Sequence, residues 1–192
     1  MHRVRTFGMI AWVVLMAIAA LPPMASAGVD CTISGTSGSD DPNGTAGDDV
    51  ICGFAGGDDI KAGGGHDVIY GGPGQDAIEA GGGVDVVIGG KGNDFISDGA
   101  GNDQTWGGPG RDYFFGGAGN DRHNGGPGAE IGMLDFEGRD KLKGGSGDER
   151  CMSTWDDAGG DVINGGPGSD IYFADDGDTV ISGEDSFPCF AE

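Results

Sequence analysis

Aspartate recurs at every ninth position along most of this chain. It stands at Asp40, Asp49, Asp58, Asp67, Asp76, Asp85, Asp94, Asp103, Asp112 and Asp121, and the spacing returns at Asp161 and Asp170. A glycine precedes each of the first ten by two residues, and no insertion interrupts the count across residues 35–124. Carboxylates in such an array suit two kinds of chemistry, proton transfer between paired acids or the binding of cations. Adjacent acids such as Asp48-Asp49 and Asp58-Asp59 are so common here that proximity selects no acid–base pair. No Ser/His/Asp or Cys/His set supplies an activated nucleophile. His66 in a turn slot and His123 in an apolar slot read as structural residues. The chain is therefore expected not to be an enzyme, with a small secreted hydrolase as the outweighed alternative. The twelve aspartates are candidate metal ligands.

The elements that position them follow from the rest of the unit. Numbering slots from Gly35, a representative unit is Gly71-Gly72-Pro73-Gly74-Gln75-Asp76-Ala77-Ile78-Glu79. Its first six residues are turn formers, and the last three read as a very short strand. Slot eight runs Ile51, Ile60, Ile69, Ile78, Val87, Ile96, Thr105 and Phe114, which marks a core column. One unit buries nothing alone; stacking creates the interior. Two units per coil put each residue above the one eighteen positions earlier and place two parallel sheets face to face. The slot-six acids then form two files. One runs Asp40, Asp58, Asp76, Asp94, Asp112 and Glu130; the other runs Asp49, Asp67, Asp85, Asp103 and Asp121. Carboxylates stacked at a strand spacing of roughly 4.8 Å repel one another and call for a cation. Carboxylate and carbonyl oxygens in flexible geometry suit calcium, whereas magnesium wants strict octahedral geometry and transition metals want nitrogen or sulfur.

Bulk composition supports this reading. The formal charge is -22, which favours cations and disfavours nucleic acid and anionic membranes as partners. Glycine fills 44 positions, but the period of nine and the scarce proline exclude collagen. Regular apolar slots argue against simple disorder. Residues 1–27 read as a cleaved leader, with Arg3 and Arg5 ahead of an apolar run and an Ala25-Ser26-Ala27 cleavage site. That predicts a secreted, extracellular protein, and no membrane span is expected. Four cysteines in an exported chain point to disulfides. Of the three pairings, Cys31–Cys52 with Cys151–Cys189 is the expectation, because it would tie each end of the array to its flanking segment.

The units at residues 71–79, 89–97, 107–115 and 165–173 resemble the RTX, or haemolysin-type, calcium-binding nonapeptide repeat, G-G-x-G-x-D-x-U-x. The resemblance implies an all-β, right-handed parallel β-roll that binds several calcium ions. It also implies ions held between consecutive turns on one side by slot-six aspartates and backbone carbonyls. Carried onto this chain, the sites lie between Asp49 and Asp67, Asp67 and Asp85, and Asp85 and Asp103. On the other file they lie between Asp58 and Asp76, Asp76 and Asp94, and Asp94 and Asp112. The toxin activity of some family members is not carried over.

The pattern frays after residue 124. Glu130 takes the aspartate slot, Gly132 the core slot, and Leu134 reads as a one-residue insertion. Asp140 and Glu149 resume the ligand slot, residues 153–155 break the count, and Thr179 stands where aspartate belongs, with Ile181 in the core slot. The expected organisation is an N-terminal cap over 28–34, a regular roll over 35–133, a bulged continuation over 134–182 and a C-terminal cap over 183–192. Outward slots carry Val50, Val68, Val86, Cys52, Tyr70, Ile88 and Trp106 on one sheet. Phe95, Tyr113, Ile131, Phe115 and Met133 fall on the other. Such stripes suit an unidentified extracellular protein or surface partner, which makes a calcium-stiffened interaction or adhesion module the second functional reading.

Overall fold

A computed structural model of the chain describes residues 29–154 and 160–182. The leader, the 183–192 cap and Cys189 lie outside the described residues. Among those described there is no helix, and sixteen strands form two all-parallel sheets of nine and seven strands. The first two strands, Ile33–Ser34 and Val50–Cys52, lie side by side in the nine-stranded sheet; from there successive strands alternate between the sheets, so each pairs with the strand one coil away. Ile51 pairs with Ile69 and Ile69 with Val87 in one sheet, while Ile60 pairs with Ile78 and Ile78 with Ile96 in the other. Each step is eighteen residues, as the nine-residue unit requires. The chain is a β-solenoid of the β-roll type, and its interior is the fully buried Ile/Val column closed by Phe114, Met133, Leu142, Met152 and Ile163.

Strands are longer than the three residues expected. Asp59–Gly64, Val68–Pro73, Ala77–Gly82 and Val86–Lys91 each carry six residues and run on through the first three slots of the next unit. Slot one therefore points inward beside slot eight, and Ala62 and Ala80 occupy it fully buried. The turn proper is confined to slots four to six. At Gly92 the backbone lies at φ +142°, and a Cβ there would stand 1.4 Å from the Gly74 carbonyl oxygen. Gly82, with nothing within 4 Å of such an atom, is free of that constraint. Gly92→Ala should lower stability by about 2–5 kcal/mol through backbone strain and forced separation of coils, whereas Gly82→Ala should stay within about 0.5 kcal/mol. Urea unfolding of both variants in excess calcium checks this; equal midpoints would contradict it.

The frayed region corrects several slot assignments. Met133, not Gly132, pairs with Phe114 and is fully buried, while Leu134 pairs with Phe115 inside a strand. The extra residue is accommodated just before Gly132: Ile131 still donates to the Asp112 carbonyl at eighteen-residue register, and Gly132 already pairs with Tyr113 at nineteen. Glycine has no side chain to bury, so a one-residue slip that delivers Met133 to the interior wins. This also removes Met133 from the outward stripe. The coil above repeats the slip, with Met152 stacked on Met133. Near the C-terminal end Asp178, not Thr179, takes the ligand slot, because Val162 pairs with Thr179 one residue early. Val180 then packs against the core while Ile181 is 62% exposed, against expectation.

The outward stripes of the first sheet align as expected, Val50–Val68–Val86 beside Cys52–Tyr70–Ile88–Trp106. Cys52 itself is buried and bonded to Cys31, which ties the first strand to the coil above it. Closing that loop is worth about 3 kcal/mol in chain-entropy terms. Cys151 is also disulfide-bonded, and its expected partner Cys189 lies outside the described residues. On the seven-stranded sheet Phe95 and Tyr113 stack with ring centroids 5.3 Å apart.

Candidate metal centre

Each slot-six aspartate sits where the turn re-enters a strand, so its side chain points inward under the next coil. One oxygen is fixed by the backbone. Asp76 Oδ1 accepts the Asp58 N–H at 2.9 Å, Asp85 Oδ1 that of Asp67 at 2.8 Å, and Asp94 Oδ1 that of Asp76 at 3.0 Å. The same bond continues through Asp103, Asp112 and Asp121, and then through Asp140 and Asp161 across the insertions. Slot five builds a second ladder of opposite sense, which the sequence reading missed. There Asp48, Asn93 and Asn102 accept backbone N–H groups from His66, Arg111 and Asn120 one coil later. The recurrence of Asn, Asp and Ser in slot five was the available signal.

The second oxygen decides the chemistry. Oδ2 of Asp58, Asp67, Asp76, Asp85, Asp94, Asp103, Asp112, Asp121 and Asp170 is buried with no hydrogen-bond partner. Leaving one buried acceptor unsatisfied costs about 1–3 kcal/mol, and more when it is charged. Two unit charges one strand spacing apart repel by roughly 3–4 kcal/mol at an effective dielectric constant near 20. Backbone oxygens converge on the same places. A Cβ at Gly71 would lie 2.7 Å from Asp76 Oδ2 and 2.5 Å from the Gly89 carbonyl oxygen. At Gly89 it would lie 2.8 Å from Asp94 Oδ2 and 3.0 Å from the Gly107 carbonyl oxygen. This all-oxygen donor set repeats along the file of Asp76 and Asp94, the orphaned Oδ2 atoms recur along both files, and the set fits calcium.

The ends of the files differ from the middle. Asp40 Oδ2 accepts from the Thr36 N–H and hydroxyl at 2.6 and 2.8 Å, and Asp49 Oδ2 from those of Thr45 at 2.8 and 2.9 Å. Asp178 Oδ2 is held by the Thr154 hydroxyl and the Asp175 N–H. These terminal carboxylates are satisfied by the protein itself. Glu130 takes its place in the first file as expected and Glu149 continues it, but neither carboxylate accepts the backbone N–H of the preceding coil that fixes the aspartates. Each is followed by the one-residue slip that carries Met133 and Met152 inward.

The acidities record the same environment. Burial pushes Asp94, Asp103 and Asp112 up to about 7 against the lowering by their backbone hydrogen bonds, with neighbouring carboxylates adding to the rise. Burial likewise takes Asp76 and Asp121 to about 6 and Asp140 to about 8. Glu130 and Glu149 are also raised, first by burial.

One buried cluster departs from the repeat. His123 occupies slot eight in the nine-stranded sheet, with Nε2 2.9 Å from Asp135 Oδ2 and Nδ1 3.4 Å from Asp98 Oδ2. Burial would lower the imidazole, but the Asp135 hydrogen bond and the charges of Asp98 and its neighbours carry it up to about 9. His66, by contrast, is exposed in its turn slot, as expected.

Stacked parallel coils with two inward files of half-satisfied carboxylates define a calcium-type β-roll. The chain belongs to the RTX calcium-binding nonapeptide repeat family, whose model matches residues 34–67, 53–87, 79–114, 88–122, 100–129 and 155–181. Calcium binding by the β-roll is the property these repeats carry. No curated protein matches the chain.

Proposed function

We propose that this chain is a secreted, non-catalytic calcium-binding β-roll whose folding is coupled to the ion. The observation that supports it most is the run of buried, unpartnered Oδ2 atoms from Asp58 to Asp121, bounded below by threonine-capped aspartates. Within this reading the ions lie between consecutive aspartates of each file: Asp67 with Asp85 and Asp85 with Asp103, Asp58 with Asp76, Asp76 with Asp94, and Asp94 with Asp112. Asp161 and Asp170 serve the upper coils. Asp40 and Asp49 contribute chiefly to the cap, since their second oxygens already have donors. A formal charge of -22 and 44 glycines oppose compaction until cations neutralise the files. Ion binding then becomes folding energy. Millimolar extracellular calcium is enough for sites with dissociation constants around 10⁻⁴–10⁻³ M, so the roll folds after export through its leader. Titration calorimetry of the purified chain should show several calcium ions per chain and no comparable uptake of magnesium. A stoichiometry of one or none would overturn the proposal.

A further inference from the structure

Four interior positions abandon the repeat at one place. Slot one in the seven-stranded sheet runs Ala62, Ala80, Asp98, Gly116, Asp135, and slot eight in the facing sheet runs Ile69, Val87, Thr105, His123, Leu142. The two aspartates and the histidine are each no more than 2% exposed. Gly116, between the aspartates, leaves the room: a Cβ there would stand 2.3 Å from Asp135 Oδ1. The imidazole lies between Asp98 and Asp135, edge-on to the Phe114 ring. Asp121 Oδ2, buried without a hydrogen-bond partner, joins the group. Ligand atoms of Asp121, His123 and Asp135 lie within 4.8 Å of one another.

We infer that Asp121, His123 and Asp135 form a buried site for a zinc-class transition metal, which shares Asp121 with one calcium file and differs from the calcium sites in its donor set. The donor set carries the distinction. One imidazole nitrogen with two carboxylates is the ligand type that borderline metals take, while calcium takes oxygen alone. Metal-bound histidines usually turn the other ring nitrogen toward a carboxylate. Asp98 stands in that position beside Nδ1, and the Thr105 hydroxyl, 2.7 Å from both of its oxygens, holds it there. Asp135 is oriented in turn by the N–H groups of Gly117 and Phe136 on Oδ1, which leaves Oδ2 facing the ring. Thr105 and Asp98 are thus positioning residues, and the three ligands come from two sheets.

Cobalt(II) is the probe, because its visible absorption reports nitrogen coordination in low-symmetry sites. The full chain carries three histidines, so replacing His2 and His66 by alanine leaves His123 alone. In excess calcium near pH 8 this protein should take up a single equivalent of cobalt with an intense visible band, and one equivalent of zinc should displace it. His123→Gln, and separately the variant Asp98→Gly/His123→Val/Asp135→Gly that restores the repeat at three positions, should both lose that equivalent while retaining calcium. Absence of the band in the His123-only protein would overturn the inference and leave the cluster as an internal ion triad. The same holds if both folded variants keep the band. Should the triple variant fail to fold, the His123→Gln comparison decides alone.

Discussion

Asp85→Ala is expected to raise the calcium concentration needed for folding several-fold and to remove the two ions that flank this position. Asp85 Oδ1 accepts the Asp67 N–H, its own N–H donates to Asp103, and its Oδ2 is buried without a partner. Each lost ion costs about 1.4 kcal/mol at a calcium concentration ten times its dissociation constant. The orphaned Asp67 N–H adds about 1–3 kcal/mol. Asp85→Asn separates the two contributions. It keeps a carbonyl acceptor for Asp67 and removes the charge, so it should lose the ions yet tolerate chelator better than the alanine variant. Asp49→Asn is the contrast. Its oxygens are held by Thr45 and Thr32, so calcium stoichiometry should be unchanged and the loss limited to about 1–2 kcal/mol of hydrogen bonding. Calorimetry and urea midpoints on the three variants read these effects. Equal stoichiometry in Asp85→Ala and the parent would refute the ion assignment.

The nine-residue count carries the fold because a solenoid turns a one-dimensional period directly into spatial neighbours. The Ile/Val column, the two acid files and the eighteen-residue register were therefore legible along residues 35–124. Slots past 124 were misread where packing overrode counting: Met133 displaced Gly132 from the interior, and Asp178 displaced Thr179 from the ligand slot. Both slips deliver a residue better suited to its environment at the cost of one bulge, a trade the count alone cannot weigh. The threonine caps on Asp40 and Asp49 were equally hidden. Thr36 and Thr45 stand in slot two like any turn residue, and only the hydrogen bonds separate these ends from the middle of each file. The Asp98–His123–Asp135 cluster was visible only as scattered departures, because its members come from two sheets and three coils.

Acidification should move the roll in opposite directions with and without calcium. Asp94, Asp103 and Asp112 are raised to about 7 and Asp140 to about 8 by burial. The ordinary carboxyl value is near 3.8. In chelator the folded roll holds protons that the unfolded chain releases, so its stability falls as pH rises from about 4 to 8 and is regained on acidification. In calcium the ionised carboxylates are the ligands, and protons compete with the metal. The calcium midpoint of folding should rise as pH falls below about 7, by up to about tenfold per unit for each proton that binding displaces. Calcium titrations followed by circular dichroism at about pH 5.5 and 7.5 test this. A midpoint independent of pH would contradict the burial of ionisable ligands.

Buried carboxylate files should make folding of the roll depend on calcium. Far-ultraviolet circular dichroism of the purified chain, titrated from chelator into millimolar calcium, tests it most directly. The predicted result is a disordered spectrum that converts cooperatively to a β spectrum, with magnesium unable to replace calcium. A β spectrum already complete in chelator at neutral pH, or one that several millimolar calcium leaves unchanged, would contradict the account.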